Sequence, residues 1–441
     1  MDTKINYLTG GLQFKLHDDI EEEVVQLKQN LLRMYKPIAP SVDLNATFDP
    51  QPSKLSLRQR FQLIKSFGEE IVQEEELKKL LQSKQFPICY DGFEPSGRMH
   101  IAQGILRAIN VNKLVDAGCI FIFWVADWFA LLNNKMDGDL EKIRTVGRYF
   151  IETWKAAGMK MHNVKFLWCS DEINKKSNDY WLQVIDVARK FNITRMKKCS
   201  QIMGRAESDE LAVSQLLYPA MQCTDIFHLK ADICSLGKDQ RKVNMLAREY
   251  VSKPDNNYKL HTPVIVSHHM LSGLKEGQIK MSKSDPMSAI FMEDTEEDVN
   301  KKIDGAYCKP REVYQHDGQT FANPILDYTK SIIFGAFNKI DLIRTPENGG
   351  NITYHSYEQL EQDYIEGKVH PGDLKAAVKI ALNKLIQPVR DHFQNNPVAK
   401  QLLSQIKLWQ QQKLQKEQQQ VQQQQQQQQQ EAAATQASQA Q

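Results

Sequence analysis

The sequence predicts an α/β protein: a doubly wound, mostly parallel-sheet (Rossmann-like) domain followed by a smaller C-terminal helical domain. Three observations predict it. Short apolar runs read as buried strands: FPICYDGF from Phe86, CIFIFWVAD from Cys119 and VKFLWCS from Val164. Amphipathic stretches of helical period, such as HIAQGILRAINVNKLVDAG from His100, stand between them. Strand, helix and strand in succession require right-handed crossovers, hence a parallel sheet with a ligand crevice at the carboxyl ends of its strands.

The elements follow in order. Ile20, Val24, Leu27, Leu31 and Tyr35 recur at helical spacing, and Pro37 to Lys54 is rich in proline and turn formers. Residues 1–54 are therefore expected to be a helical extension and linker. A second helical pattern covers Leu55 to Ser83, until Pro87 ends helical propensity. HLKADICSLG and HTPVIVSHHM continue the strand series, so the nucleotide-binding domain is placed at 55–300. After about Ser284 strand signals fade and helical patterns run through Ile386, which places the helical domain at 301–400. Beyond Lys400 glutamine takes over, and 401–441 is expected to be a disordered tail because it has too little apolar surface to fold alone.

At 441 residues the chain is long enough for two domains with appendages. Hydrophobic residues at 41% and charged residues at 25% match a soluble globular protein. The 56 basic and 54 acidic residues leave a net charge of only +2, so any nucleic-acid footprint must be local. The seven cysteines stand singly, with no CxxC pair and no zinc spacing, which points to a reducing compartment and no protein-held metal. The N-terminus lacks the apolar stretch of a signal peptide, and Cys119 to Ala130, interrupted by Asp127, is too short to span a bilayer. A cytoplasmic protein without a membrane partner is expected.

Six segments carry chemistry. Lys280-Met281-Ser282-Lys283-Ser284-Asp285-Pro286 is a turn-forming stretch with two cations and two hydroxyls, suited to gripping a triphosphate as charge moves onto pyrophosphate. Tyr90 to Gly104 reads as strand, small-residue turn and helix opening near His100, an arrangement that brings backbone N–H groups to a phosphate, with Gly92 and Gly97 permitting close approach. Tyr218, Gln222 and Asp225 stand at i, i+4 and i+7, on one helix face; read by itself, this is the polar side of an amphipathic helix with Tyr218 half-buried. Gly237-Lys238-Asp239-Gln240 reads as a turn after a strand. His370-Pro371-Gly372-Asp373 reads as a helix start, with Asp373 near the first turn. Arg195, Lys197 and Lys198 form a basic cluster, which a solvated surface would also explain.

Taken together these segments resemble class I aminoacyl-tRNA synthetases. KMSKS is similar to their signature loop, and His100-Ile101-Ala102-Gln103 to their HIGH element, with Ala102 and Gln103 departing from it. YPAMQCTD, Tyr218 to Asp225, resembles the tyrosine-binding helix of archaeal and eukaryotic tyrosyl-tRNA synthetases, and GKDQRK resembles their GxDQRK turn. The resemblance covers about Phe86 to Arg390. It implies activation of L-tyrosine with ATP and Mg²⁺ as co-substrate, transfer to tRNA(Tyr), and a homodimer. It assigns Tyr90 and Asp225 to the substrate phenol, Tyr218 and Gln222 to its ammonium group, and Gln240 to the amino-acid backbone. ATP falls to Gly92, Gly97, His100, Ala102, Asp239 and the loop residues Lys280, Ser282, Lys283 and Ser284. His100, Lys280 and Lys283 are the catalytic candidates. Arg195, Lys197 and Lys198 would meet the acceptor stem, and His370, Pro371 and Asp373 the anticodon, with Phe334 or Phe337 as its stacking aromatic. The resemblance leaves Glu94 without a role. A phenol-binding site rejects phenylalanine by leaving its own polar groups unpaired, so no editing domain is needed. The rival readings are a tryptophanyl-tRNA synthetase and a catalytically silent RNA-binding paralogue.

Overall fold

Five parallel strands and one antiparallel edge strand build the central sheet in the order β1-β6-β5-β2-β3-β4. A computed structural model describes residues 48–203, 210–255, 258–278, 281, 285–315 and 321–439. The helical pattern at Ile20 to Tyr35 lies outside the described residues. The end of the expected linker is strapped down: Asn163 bonds the Gln51 backbone through both ends of its amide, at 2.7 and 2.9 Å, and Lys165 lies 3.9 Å from the Phe48 ring centre.

Four strands fall where the apolar runs put them: β2 (Ile88–Phe93), β3 (Ile120–Val125), β4 (Val164–Trp168) and β6 (Val264–His268); β5 shrinks to Ile233–Cys234. From β2 the chain winds outward through β3 and β4, then returns through β5 and β6 on the other side. The direction therefore reverses between β2 and β5, which opens the crevice where a doubly wound sheet takes its ligand.

The Leu55–Ser83 segment differs from expectation. It is two helices, α1 (Leu57–Lys65) and α2 (Glu74–Ser83), split by the edge strand β1 (Gly68–Val72), which pairs antiparallel with β6. Gly68 ends helical propensity, and it sits where a Cβ would come within 3.1 Å of Val266. Ser56 caps α1 in a capping box with Gln59. The remaining helices of this half are α3 (Arg107–Asp116), entered through a π-helical turn at Ala102–Leu106, α4 (Asp127–Leu132), α5 (Leu140–Ala156), α6 (Cys169–Lys175), α7 (Ser177–Lys190), α8 (Ile193–Cys199), α9 (Val213–His228) and α10 (Arg241–Val251).

The later part is mainly helical: α11 (Glu296–Asp304), α12 (Pro324–Tyr328), α13 (Tyr357–Ile365) and α14 (Pro371–Asn395). A small antiparallel ribbon, β7 (Ile340–Leu342) with β8 (Ile352–Tyr354), interrupts it, in strands too short to register as a pattern. Residues 48–441 nevertheless form one compact unit, so the boundary at residue 300 is a change of element type rather than a break in packing. The expected disordered tail is corrected as well. It continues as helix α15 (Pro397–Gln439), docked at its start by buried Ala399, Leu402 and Ile406. Docking supplies the costly helix nucleus, and glutamine, a good helix former, propagates it.

Candidate active site

A cleft of about 340 Å³ lies over the crevice between β2 and β5. One wall comes from β2 and the turn after it: alternation along the strand puts Tyr90 and Gly92 on the same face, both lining the cleft. Gly92 is needed there, since a Cβ would stand 3.1 Å from the Tyr90 hydroxyl. Burial, and then the nearby Asp225 carboxylate, push the Tyr90 phenol well above its ordinary pKa.

Helix α9 supplies the floor. Its i, i+4, i+7 face brings Tyr218, Gln222 and Asp225 into the cleft. Asp225 is fully buried, and its Oδ1 accepts a 2.7 Å hydrogen bond from the Tyr180 hydroxyl of α7. Its Oδ2 is equally buried and, among the described residues, no donor reaches it in hydrogen-bond geometry; the nearby Trp124 indole N–H is itself buried and unpaired. Burial pushes this carboxyl well above the usual range, against the lowering effect of the Tyr180 hydroxyl and the Trp124 indole. An unsatisfied buried carboxylate oxygen is costly, so this atom calls for a donor from a ligand.

Glu94 has a structural role that sequence reasoning did not find. It accepts a 2.6 Å hydrogen bond from the Tyr218 hydroxyl and two from the Asn133 amide, at 3.1 and 3.0 Å, with Lys135 at 3.6 Å. Tyr218 is thereby held from the turn after β2, and Glu94 is a positioning residue. Glu94→Ala leaves the Tyr218 hydroxyl unsatisfied and should lower kcat/KM for the amino acid about tenfold in pyrophosphate exchange, with the fold intact by circular dichroism. An unchanged kcat/KM would remove this role.

The far wall follows β5 and β6. Gln222 donates to Gln240 (3.1 Å), which in turn donates to Asp239 (3.1 Å), so three predicted residues form one polar chain. Gly237 permits this approach, because a Cβ there would fall 2.5 Å from Asp239 Oδ1. His100 and Ala102 line the same cleft. Their segment is stitched to the stretch following the KMSKS loop by Ile101 N–H to Ile290 (2.8 Å) and Met292 N–H to Met99 (2.9 Å). Lys280, Ser282, Lys283 and Ser284 lie outside the described residues, but Met281 of the same loop lines the cleft. Gly97 does not line it; it holds a turn at φ +91°, a conformation that favours glycine.

Just beyond β6, His269 also borders the cleft, and nothing in the sequence singled it out. Its Nε2 stands 2.7 Å from Asp327 and its Nδ1 3.4 Å from Glu69, tying the edge strand to the later helices. Burial opposes a charged ring, but the bonds to Asp327 and Glu69 outweigh it and push the pKa up to about 10. The folded value exceeds the ordinary 6.5, so this stabilisation is complete below pH 6.5 and is lost as pH rises towards 10. His269→Gln should cost about 3 kcal/mol in urea unfolding at pH 6.5, the scale of a broken buried pair. The gap between variant and parent should shrink by pH 10; a gap independent of pH would exclude a charged His269.

The basic cluster and the second-half residues sit elsewhere. On α8 the Arg195 guanidinium is committed to Glu249 by bonds of 2.8 and 2.9 Å, while Lys198 is exposed. At the start of α14, His370 is the N-cap, its Nδ1 accepting from the Gly372 N–H at 3.1 Å, with Pro371 at the first helical position and Asp373 in the first turn. Phe334 packs edge-on against Tyr357 and Phe337 lies under Lys384, both half-buried.

The family model described as "tRNA synthetases class I (W and Y)" matches residues 82–387. A tyrosine–tRNA ligase named as cytoplasmic from Arabidopsis thaliana is 58% identical over 80% of this chain and 89% of its own length. One from Saccharolobus islandicus is 39% identical over 80% and 98%. The chain belongs to the class I tyrosyl-tRNA synthetase family. A solved tyrosyl-tRNA synthetase from Aeropyrum pernix superposes with a TM-score of 0.70 at 36% identity, over 80% of this chain and 99% of that one. The Leishmania major enzyme, solved with tyrosinol, gives 0.74 at 52% identity over 80% of this chain, which spans only about half (52%) of that longer protein. A tryptophanyl-tRNA synthetase from Aeropyrum pernix shares the fold at 18% identity and a TM-score of 0.54. As a family member this chain is an ATP-using aminoacyl-tRNA ligase. Among the described residues no group of three or more His, Cys, Asp and Glu side chains could hold a metal ion, and no helix is long and apolar enough to cross a membrane.

Proposed function

We propose that the protein activates L-tyrosine with ATP to tyrosyl-adenylate and transfers the tyrosyl group to the 3′ end of tRNA(Tyr). The observation that carries this reading is the unpaired, fully buried Oδ2 of Asp225 facing a cleft that Tyr90 also lines. A phenol hydroxyl donates to that oxygen. Phenylalanine leaves it orphaned, which is the basis of strong discrimination without editing.

Tyr218, Gln222 and Gln240 hold the ammonium and carboxylate ends, and Asp239 receives the ATP ribose. The tyrosine carboxylate attacks the α-phosphorus in line. A P–O bond to the amino acid forms as the bond to pyrophosphate breaks. A carboxylate is already a nucleophile at neutral pH, so catalysis rests on positioning and on cations. His100, Lys280 and Lys283 supply them, with Gly92, Ala102, Ser282 and Ser284 shaping the nucleotide site and Gly97 holding the turn beside it, and Mg²⁺ enters with ATP as part of the substrate. A ribose hydroxyl of the terminal adenosine then attacks the adenylate carbonyl, forming the ester and releasing AMP.

For the tRNA, Arg195, Lys197 and Lys198 meet acceptor phosphates, with Arg195 also bracing their helix through Glu249. Asp373, behind its His370 cap and Pro371, reads the first anticodon base, since a carboxylate accepts two N–H donors from an unpaired guanine. Phe334 and Phe337 stay equal candidates for stacking on it. The protein works as a homodimer in the cytosol. Exposed Leu182, Ile185, Ile193 and Val213, 53 to 83% accessible on α7, α8 and α9, supply the apolar surface for a second copy. A monomeric mass by light scattering at micromolar concentration would overturn the dimer.

The decisive experiment is ATP–pyrophosphate exchange with each of the twenty amino acids in turn. Exchange with tyrosine alone supports the reading, and exchange with tryptophan alone replaces the substrate. No exchange with any amino acid makes the chain an inactive RNA-binding relative.

A further inference from the structure

His268, the last residue of β6, and His269 after it both border the active cleft. Both ring nitrogens of His269 are committed, to Asp327 and Glu69. His268 is different. It is only 8% exposed, and its Nδ1 lies 3.1 Å from the carbonyl oxygen of His269. A carbonyl can only accept, so Nδ1 carries the ring proton and Nε2 is left as an acceptor. Nε2 is buried, and among the described residues no donor reaches it. An orphaned buried acceptor is costly in the empty protein, and a donor on a ligand in the cleft relieves it.

The surroundings fix both the place and the charge of this acceptor. The His268 N–H donates to the Leu236 carbonyl at 3.0 Å, and the residue pairs in parallel with Gly237. It therefore stands beside the turn that carries Asp239, at the carboxyl ends of β5 and β6, where a doubly wound sheet takes its ligand. A Cβ on Gly237 would meet Asp239 Oδ1 at 2.5 Å, Met270 Sδ at 2.8 Å and His268 Cε1 at 3.5 Å. A carboxylate, a thioether and an imidazole thus converge over one bare glycine. Burial, and then the charge of Arg107, hold the His268 ring well below its ordinary pKa, so that it stays neutral and keeps its acceptor. Arg107 is itself pinned by Asp91 at 2.5 Å and by the Ser235 carbonyl at 3.4 Å.

We propose that His268 is a second acceptor for the ATP ribose: its Nε2 takes a hydrogen bond from one of the two adjacent sugar hydroxyls, and Asp239 takes the other. Two acceptors side by side match a vicinal diol. A sugar lacking one hydroxyl leaves one of them orphaned, so the pair selects a ribonucleotide over a deoxyribonucleotide. This inference rests on the proposed activation of tyrosine with ATP, with the ribose at Asp239.

The test is tyrosine-dependent pyrophosphate exchange by the full chain with ATP, 2′-deoxyATP, 3′-deoxyATP and purine riboside triphosphate, which lacks the 6-amino group. His268→Phe keeps a ring and removes the acceptor, whereas His268→Gln keeps an acceptor near the place of Nε2. The parent should prefer ATP over each deoxy analogue by about tenfold or more. His268→Phe should lower kcat/KM for ATP about tenfold and leave it nearly unchanged for one of the deoxy analogues, so that this one preference collapses. His268→Gln should keep most of it. If circular dichroism shows the Phe variant unfolded, His268→Asn, whose amide is too short to reach the place of Nε2, carries the same measurement. Parental preferences against both deoxy analogues in a folded variant overturn the ribose contact. A change confined to purine riboside triphosphate also overturns it, by moving the contact to the base. Absence of exchange in the parent with ATP overturns the activation reading, and this inference with it.

Discussion

Asp225→Asn should lower kcat/KM for tyrosine in pyrophosphate exchange by about 10²- to 10³-fold while changing the value for phenylalanine little. The amide keeps the shape of the carboxylate and can still accept from Tyr180. Its nitrogen, however, replaces the acceptor oxygen Oδ2, which is buried and unpaired. Discrimination between the two amino acids therefore collapses from the tyrosine side. Stability gives an independent readout. Burial raises the Asp225 pKa in the folded protein, so this residue destabilises the empty protein as pH rises above the usual carboxylate range. The Asn variant lacks that penalty and should unfold at equal or higher urea concentration than the parent at pH 8. An Asn variant that keeps the parent preference for tyrosine over phenylalanine would remove Asp225 from phenol recognition.

The second large effect is expected from the KMSKS loop. Lys280→Ala/Lys283→Ala should reduce the rate of tyrosyl-adenylate formation by about 10³-fold or more, since one preorganised donor to developing charge is worth about 10²- to 10³-fold. Tyrosine affinity, read by fluorescence titration without ATP, should stay within about twofold, because the proposed phenol and ammonium contacts lie on β2 and α9. Met281 lines the cleft, and backbone bonds join Ile290 and Met292, which follow the loop in sequence, to the His100 segment. Near-parental exchange by the double variant would mean that the lysines do not stabilise the departing pyrophosphate.

Much of the site could be read locally. An i, i+4, i+7 pattern has one geometric consequence in a helix, so Tyr218, Gln222 and Asp225 had to share a face. The strands β2, β3, β4 and β6 were legible because strands buried on both faces are continuous apolar runs. Glu94, Tyr180 and His269 were not legible. Each acts through a partner distant in sequence: Glu94 through Tyr218, Tyr180 through Asp225, and His269 through Glu69 and Asp327. No local pattern marks a residue whose role is to hold another one. Edge strand β1 escaped for a related reason. Its five residues sit among helix formers, and only pairing with β6 makes them a strand. Arg195 is a further case, a cation whose guanidinium is bonded to Glu249, a partner that no local pattern announces.

The sequence by itself determined the α/β class, the strands β2, β3, β4 and β6, and the shared face of Tyr218, Gln222 and Asp225, because periodicity and short motifs are local consequences of backbone geometry. Only the tertiary structure decided that Asp225 Oδ2 has no donor in hydrogen-bond geometry, that Glu94 holds Tyr218, and that the last helix docks through Ala399, Leu402 and Ile406. Those outcomes depend on which distant groups are buried together, and burial is a property of the assembled fold rather than of any one segment.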